Sequence, residues 1–457
     1  MAARLATVAV ASALFMEFID STALSTALPT LAKAFHTDPV HLKLALTSYI
    51  LALAVGAPAS GWVADRFGPR RVFMAAMAAF LAGSVLCGFS HSLAQLVGFR
   101  IVQGMGGAMM TPVGRQIVVG LAPRDRLVAA MSWFTMPALV GPLLGPPLAG
   151  ILLGFADWTW IFFINVPVGL VGMIAVGRLV PRLRQPDPGR FDTRGYLMAA
   201  LAITSIVAVA ETAGAGLIPP LWQAVGVAVA VAASGAYVVH AMRTDKPVLN
   251  LRLLRYATYR ASVTGGSLVR LGLGATPFLM PLLLQIGLGW SPLQAGLVTI
   301  WTALGAMVSK PVVARLIRRV GFRTTLVVSN LFGAILTAAP AFFRANTSIP
   351  LILVILAMGG FVRSLQFTAV NTVAYADVPP ETVGAASTLS TVAQQIGLAL
   401  GISLGGLLLH LTVGHGGALT PDRFVLPFLA IGAVSLMAGP VYHRLSPNAG
   451  AHISGQR

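Results

Sequence analysis

An all-α fold that threads a bilayer many times is predicted by three observations. Hydrophobic residues make up 56% of the 457 positions, only 10% are charged, and the mean hydropathy is +0.83, which leaves little polar surface for a soluble domain. Apolar stretches of about 20 residues recur between turn and charge signals, the length a helix needs to cross hydrocarbon. Lysine and arginine also alternate from one set of loops to the next. Twenty-two fall in every second loop counted from the N-terminus, whereas the other loops hold only Lys33, Lys43, Arg344 and Arg423. Cations collect on the cytoplasmic side, so both termini are expected there.

Fourteen spans follow in order. The first, about 5–28, opens after Arg4 and carries Glu17 and Asp20 before Pro29. It reaches spanning length with two acids inside, so it reads as a retained helix and not a signal peptide. Spans two (43–63) and three (72–91) are separated by residues 61–71, Gly-Trp-Val-Ala-Asp-Arg-Phe-Gly-Pro-Arg-Arg, a glycine-bounded charged turn too polar for hydrocarbon. The fourth (93–120) ends before Pro123-Arg-Asp-Arg126, and the proline-rich fifth covers 128–154. Trp158 and Trp160 open the sixth (158–180), where they suit the membrane interface, as Trp290 does further on. Spans seven (194–211) and eight (217–240) have the weakest boundary signals. After a basic loop come 259–285, 292–316, 323–343, 349–375, 383–411 and 422–444.

Several function classes are excluded or disfavoured. A net charge of +18 would suggest nucleic acid in a soluble chain, but here it reflects loop cations, and no nucleic-acid partner is expected. The single cysteine, Cys87, excludes an internal disulfide. His410 and His415 are five residues apart without a third ligand, so no metal site is expected. The chain has no phosphate-cradling glycine loop with its lysine, and no convincing catalytic set, so ATP drive and enzyme activity are not expected.

The chain repeats itself weakly. Spans two and three with their charged turn correspond to spans ten and eleven joined by residues 310–323, and Gly106-Gly107 corresponds to Gly359-Gly360. This predicts an N-terminal six-helix bundle at 1–184, an inserted two-helix segment at 185–250, a C-terminal six-helix bundle at 251–445 and a tail at 446–457. Repeats of this kind are how transporters build two bundles around a midplane site.

At this point the residues carry a resemblance. Residues 61–71 look like motif A of the major facilitator superfamily, and 100–108, Arg-Ile-Val-Gln-Gly-Met-Gly-Gly-Ala, like its motif B. Residues 141–150, Gly-Pro-Leu-Leu-Gly-Pro-Pro-Leu-Ala-Gly, resemble motif C, the antiporter signature. Residues 20–29 and 158–169 resemble signatures of the fourteen-helix drug:proton antiporter branch, the EmrB/QacA type, and 270–285 look most like its MdtD group. Thr159 departs from the arginine usual between those tryptophans. The resemblance implies the major facilitator fold: two six-helix bundles plus an inserted helix pair. It also implies a bacterial inner-membrane location and a proton-coupled antiporter that exports small amphiphilic molecules by alternating access.

Each motif has a physical reading. At 1.5 Å per residue, Asp20 and Arg100 lie about 12 to 14 Å from the same membrane face, level enough to pair. A buried carboxylate that trades an arginine for a proton is a natural coupling group, with Glu17 as an accessory candidate. In motif A (Gly61, Asp65, Arg66, Gly68, Arg70, Arg71), Asp65 lies one helical turn after Gly61 and can meet a helix N-terminus. The resemblance makes that partner the start of the thirteenth span, near Gly384, and the contact a conformational latch. In motif C (Gly141, Pro142, Gly145, Pro146, Gly150), small residues permit close helix approach, while the prolines, including Pro147, bend the span.

Arg270 and Arg363 reach the midplane without matching acids. Together with Gln103, Arg115, Met109 and Phe278 they are the candidate lining of a substrate cavity, and Lys310 reads as a snorkelling cation. The unmatched arginines favour anionic or neutral amphiphiles, so an exporter of an organic anion or citrate-like metal chelate is the alternative. A non-transporting sensor or scaffold on the same fold is a second one. No cofactor is expected beyond the proton gradient; the expected partners are a small-molecule substrate, protons and the lipid bilayer, and the expected assembly is a monomer.

Overall fold

The computed structural model describes residues 2–121, 130–131, 133–134, 136–181, 189–213, 218–413 and 417–451, apart from the side chains of 2–4, 137–139, 142 and 380. Arg124, Arg126, Arg182, Arg184, His415, Arg457, the first residues of the expected fifth and eighth spans, and the end of the tail lie outside the described residues, as does the Pro142 side chain.

All regular structure among the described residues is helical. We label the helices α1 (Ala2–Ala34), α2 (Lys43–Phe67), α3 (Pro69–Gly88), α4 (Leu93–Leu121), α5 (Pro137–Phe155) and α6 (Asn165–Leu179). They are followed by α7 (Thr193–Thr212), α8 (Pro220–Arg243), α9 (Ala257–Leu282), α10 (Pro292–Ala338), α11 (Ile349–Val373), α12 (Val383–Val413), α13 (Val425–Leu436) and α14 (Ala438–His443). By length and composition, eleven helices among the described residues can cross a membrane. One of them, running Pro292–Phe342, is long enough for two crossings and breaks its helical geometry at Gly321. The protein is therefore a polytopic membrane protein with helices hydrophobic on most faces, as expected where lipid replaces water.

The charged turn is shorter than the sequence suggests. Helix α2 continues through Gly61 and Asp65 to Phe67; Gly68 alone makes the turn, and α3 begins at Pro69. Gly68 sits at φ 91°, a region in which a Cβ is strained, and Pro69 supplies the fixed φ of a first helical residue. Its repeat partner Gly321 has φ 79° at the kink of α10. The internal repeat is equally visible in packing. A Cβ on Gly106 would meet the α3 backbone at Phe80 and one on Gly107 would meet Tyr49 of α2, while Gly359 and Gly360 face Leu336 and Thr302, one on each leg of α10.

The halves meet chiefly along two seams, α2 on α12 and α5 on α10, and α1 also touches α9. Helix α7 lies against both α2 and α12, and α8 packs on the far side of α7. The end carrying Arg66, Arg70, Arg71, Arg315 and Arg318 is called the arginine-rich end below. At the opposite end, Leu28, Leu31 and Leu42 of the first half pack with Phe278, Leu282, Phe343 and Phe424 of the second. Gln285 Nε2 also donates to the Thr26 carbonyl across the halves at 2.8 Å.

Motif C shows how closely α5 is held. A Cβ on Gly145 would overlap Thr22 Oγ1 and come within 3.0 Å of Thr22 Cβ on α1; Gly141 faces Phe18, and Gly150 lies against Pro292 and Leu293 of α10. Pro146 and Pro147 in turn back onto Gly296. Gly145→Val should therefore destabilise the protein by about 1 to 3 kcal/mol, the usual cost of overpacking a close contact. Gly154→Val, which meets open space, should leave the melting temperature in detergent unchanged. Equal melting of the two variants would contradict the close α1–α5 approach.

Candidate functional site

A cavity of about 1080 Å³ lies between the halves. Its lining runs from Thr26, Leu46, Met280 and Leu356, short of the leucine and phenylalanine seal, to Lys310 and Phe367. Since α10 and α11 start at the sealed end, Lys310 and Phe367, each 18 residues in, lie roughly 27 Å along them at 1.5 Å per residue, so the cavity extends toward the arginine-rich end. The lining is mainly apolar, with Ser21, Thr22, Ser25, Thr276, Thr299 and Ser364 as scattered hydroxyls. Among the described residues its charged members are Arg100, Lys310 and Arg363, with no carboxylate.

Against this cavity sits a buried polar cluster built from five helices. Asp20 and Arg100, both 0% exposed, are paired through Arg100 Nη1 and Asp20 Oδ2 at 2.5 Å. Gln103 lies one turn along α4 from Arg100, so its Nε2 donates to Asp20 Oδ1 at 2.9 Å while its Oε1 accepts from Arg100 Nη1 at 2.6 Å. Asn165, the first residue of α6, donates to the same Asp20 oxygen at 2.8 Å and to Ser84 Oγ at 3.0 Å. Arg100 Nε donates to the Ala45 carbonyl at 3.2 Å, and the guanidinium carbon stands 4.1 Å above the Tyr49 ring.

The carboxylate is thus fully engaged as an ion, by one charged and two amide donors. A buried charge is tolerated only when paired and hydrogen-bonded in this way. The arginine is not fully engaged. Its Nη2 has no hydrogen-bond partner among the described residues, nor does the Tyr49 hydroxyl, and both residues line the cavity. One guanidinium therefore links a protonatable carboxylate to the space a substrate would fill.

The structure brings together Asp20, Arg100 and Gln103, and adds Asn165, Ser84 and Tyr49, which sequence reading did not single out. Glu17, half-buried, stands apart from this cluster and accepts from Thr111 Oγ1 at 3.3 Å. Of the six residues expected to line a substrate cavity, Arg363 does so, and its buried Nε lacks a partner among the described residues. Arg270 is 6% exposed and lies behind the lining, with its guanidinium carbon 5.7 Å from the Phe367 ring. Phe278 is fully buried in the seal, Met109 packs in the first-half core, and Gln103 belongs to the Asp20 cluster. Arg115 is exposed and bonds Ser387 Oγ at 3.4 Å, whereas Lys310, read as a snorkelling cation, lines the cavity and bonds Thr368 Oγ1 at 3.3 Å.

In motif A, Asp65 accepts from Gln116 Nε2 of its own half at 2.5 Å, and the position of a Cβ on Gly384 is open space. Arg70 donates to the Gly177 carbonyl of α6, while Arg66 and Arg71 are exposed. No group of three or more metal-ligating side chains is present among the described residues.

The Major Facilitator Superfamily model matches residues 10–257 and 262–456. A Pectobacterium carotovorum subsp. carotovorum (strain PC1) protein named "Putative multidrug resistance protein MdtD" is 37% identical over 442 residues, covering 95% of this chain and 94% of its own. The protein of the same name from Klebsiella pneumoniae (strain 342) is 38% identical over 452 residues, covering 97% and 95%. Two solved peptide transporters of the POT family, one auto-inhibited and one in complex with sulfate, superpose with TM-scores of 0.69 and 0.72 at 15% and 17% identity. They cover 96% and 98% of this chain and 97% and 95% of their own, a likeness of fold alone.

Proposed function

This chain belongs to the Major Facilitator Superfamily, a transporter family, and on that premise we propose that it is a proton-coupled antiporter exporting small amphiphilic molecules from the cytoplasm. It is a transporter and not an enzyme. The observation that carries the reading is the Asp20–Arg100 pair at the cavity wall. Protonating Asp20 removes the charge that holds Arg100 Nη1. Arg100, left with the Gln103 and Ala45 oxygens as acceptors, then favours the arrangement of the halves in which substrate is released. Loss of the proton restores the pair. Proton and substrate thus act on opposite sides of one equilibrium, as antiport requires.

The finer topology belongs to the same proposal. Counting the kinked Pro292–Phe342 helix as two crossings, and adding Leu93–Leu121 and Pro137–Phe155, gives the fourteen spans of the EmrB/QacA branch. Six-helix bundles at 1–184 and 251–445 then flank the inserted pair within 185–250, and the chain works as a monomer without a cofactor. The arginine-rich end is cytoplasmic by the distribution of cations, as are both termini, in a bacterial inner membrane. The cavity therefore extends toward the side from which an exporter loads.

Reconstitution in proteoliposomes with an imposed pH gradient tests the function. Export against a substrate gradient, with protons moving the other way, is the expected result; substrate movement indifferent to the pH gradient would refute coupling. Motif A enters the same cycle as a latch, with Asp65 exchanging Gln116 for the start of α12 when the cytoplasmic end closes. Asp65→Asn should enrich the state in which that end is open, and a spin-label distance distribution across it identical to wild type would count against the latch.

A second reading of the substrate has its own support. A cavity with Arg100, Lys310 and Arg363 in its lining and no carboxylate among the described lining residues suits an organic anion or a metal chelate of net negative charge better than an organic cation.

A further inference from the structure

At the sealed end of the molecule, three parts of the chain meet in one buried ionic contact that the transport reading above does not use. Lys43, the first residue of α2, places Nζ 3.2 Å from Glu211 Oε2 and donates to the Glu211 carbonyl at 3.1 Å. The two residues are 3% and 5% exposed. Glu211 lies in the last turn of α7, the first helix of the inserted pair. Ser403 Oγ of α12 donates to its other oxygen, Oε1, at 2.9 Å. The lysine stem reaches the carboxylate by crossing α12 at Gly406, where an added Cβ would overlap Lys43 Cδ and lie 3.1 Å from Nζ.

The geometry of these residues is that of a clasp. Helix α2 belongs to the first half and α12 to the second, and their seam is one of the two along which the halves chiefly meet. At the arginine-rich end, α7 is tied to α2 again: Trp62 Nε1 donates to the Gly189 carbonyl at 3.0 Å, and its ring lies 5.1 Å from that of Phe191, just before α7. Anchored to α2 near both of its ends, α7 would move with the first half. The Ser403–Glu211 bond and the Lys43 stem over Gly406 are then the polar and steric contacts with α12 that part when the sealed end opens.

We propose that Lys43 and Glu211 are positioning residues of the transport cycle that hold the α2–α12 seam shut at the end opposite the arginines, which makes the inserted helix pair a working part of the gate. Neither residue lines the cavity, and neither bonds to a member of the Asp20 cluster among the described residues. The proposal stands on the two-state motion of the fold and not on proton coupling. An unpartnered buried charge is costly, so losing either member weakens the closed arrangement more than losing both together.

The test is a spin-label distance distribution between His41→Cys and Leu411→Cys in a Cys87→Ala background, in lipid nanodiscs without substrate. The ratio of long to short separations should rise about tenfold in Lys43→Met and in Glu211→Gln. It should also rise in Gly406→Ala, which keeps every charge but blocks the path of the lysine stem. The double variant Lys43→Met with Glu211→Gln leaves no stranded charge and so keeps the fold intact, and it should show the same direction of shift. A double variant with the wild-type distribution overturns the proposal. Because no gradient is imposed, the result reads the same whether or not protons drive the pump.

Discussion

Asp20→Asn is expected to abolish transport driven by a pH gradient while leaving a folded protein in the membrane. Asparagine keeps an oxygen for the Gln103 and Asn165 amides, which donate to Asp20 Oδ1 at 2.9 and 2.8 Å. It cannot exchange a proton, and it strands Arg100. Breaking a buried pair by removing one partner costs about 3 to 5 kcal/mol, so the variant should also melt earlier. Asp20→Asn combined with Arg100→Gln separates the two effects. The double variant has no uncompensated charge and should recover most of the stability, yet it should recover none of the coupling. If stability and coupling return together, the pair is structural and Asp20 is not the proton carrier.

The second large effect concerns substrate charge. Arg363→Ala should weaken binding of anionic amphiphiles about tenfold or more, because a charge-assisted hydrogen bond is worth about 1.5 to 3 kcal/mol. Its Nε is buried without a partner among the described residues, so a ligand that supplies an acceptor relieves an existing cost. Neutral amphiphiles should be little affected. Lys310→Gln should act in the same direction but more weakly, since Lys310 keeps Thr368 beside it. Competition binding with matched anionic, neutral and cationic dyes measures this; an equal loss for all three charges would make Arg363 a packing residue.

Which parts of this were legible in the sequence follows from the physics of membrane helices. Span length and charge alternation are one-dimensional signals, so the all-α polytopic fold could be read directly. Depth is one-dimensional too: counting residues from the helix ends put Asp20 and Arg100 at one level, and the structure pairs them at 2.5 Å. The repeated turn was visible, and Gly68 and Gly321 both adopt positive φ. The azimuth of a side chain was not legible. In a helix that is apolar all round, no periodic stripe marks the face turned to a cavity. Phe278 and Met109 consequently pack in cores, and Arg270 stands behind Phe367. Lys43 could be read only as a loop cation, because its partner Glu211 lies 168 residues away on the inserted pair, whose place against α2 and α12 is a tertiary fact. Asn165 lies within the 158–169 signature, but nothing in one dimension paired it with Asp20; the short break before α6 brings it there.

Several features converge on one arrangement. The cavity ends at a wall that includes Arg100, the wall is held by Asp20, and motif C keeps α5 against the helix that carries Asp20. On the proposed function, a change in the charge on Asp20 is expected to reach both the cavity wall and α1.

The most direct measurement follows proton and substrate fluxes together in proteoliposomes holding wild-type protein or Asp20→Asn, with a pH-sensitive dye inside and a substrate identified by screening. Wild type should move protons only when substrate moves the other way, and Asp20→Asn should show neither gradient-driven accumulation nor substrate-dependent proton flux. Substrate-dependent proton movement persisting in Asp20→Asn at the wild-type rate would contradict the account.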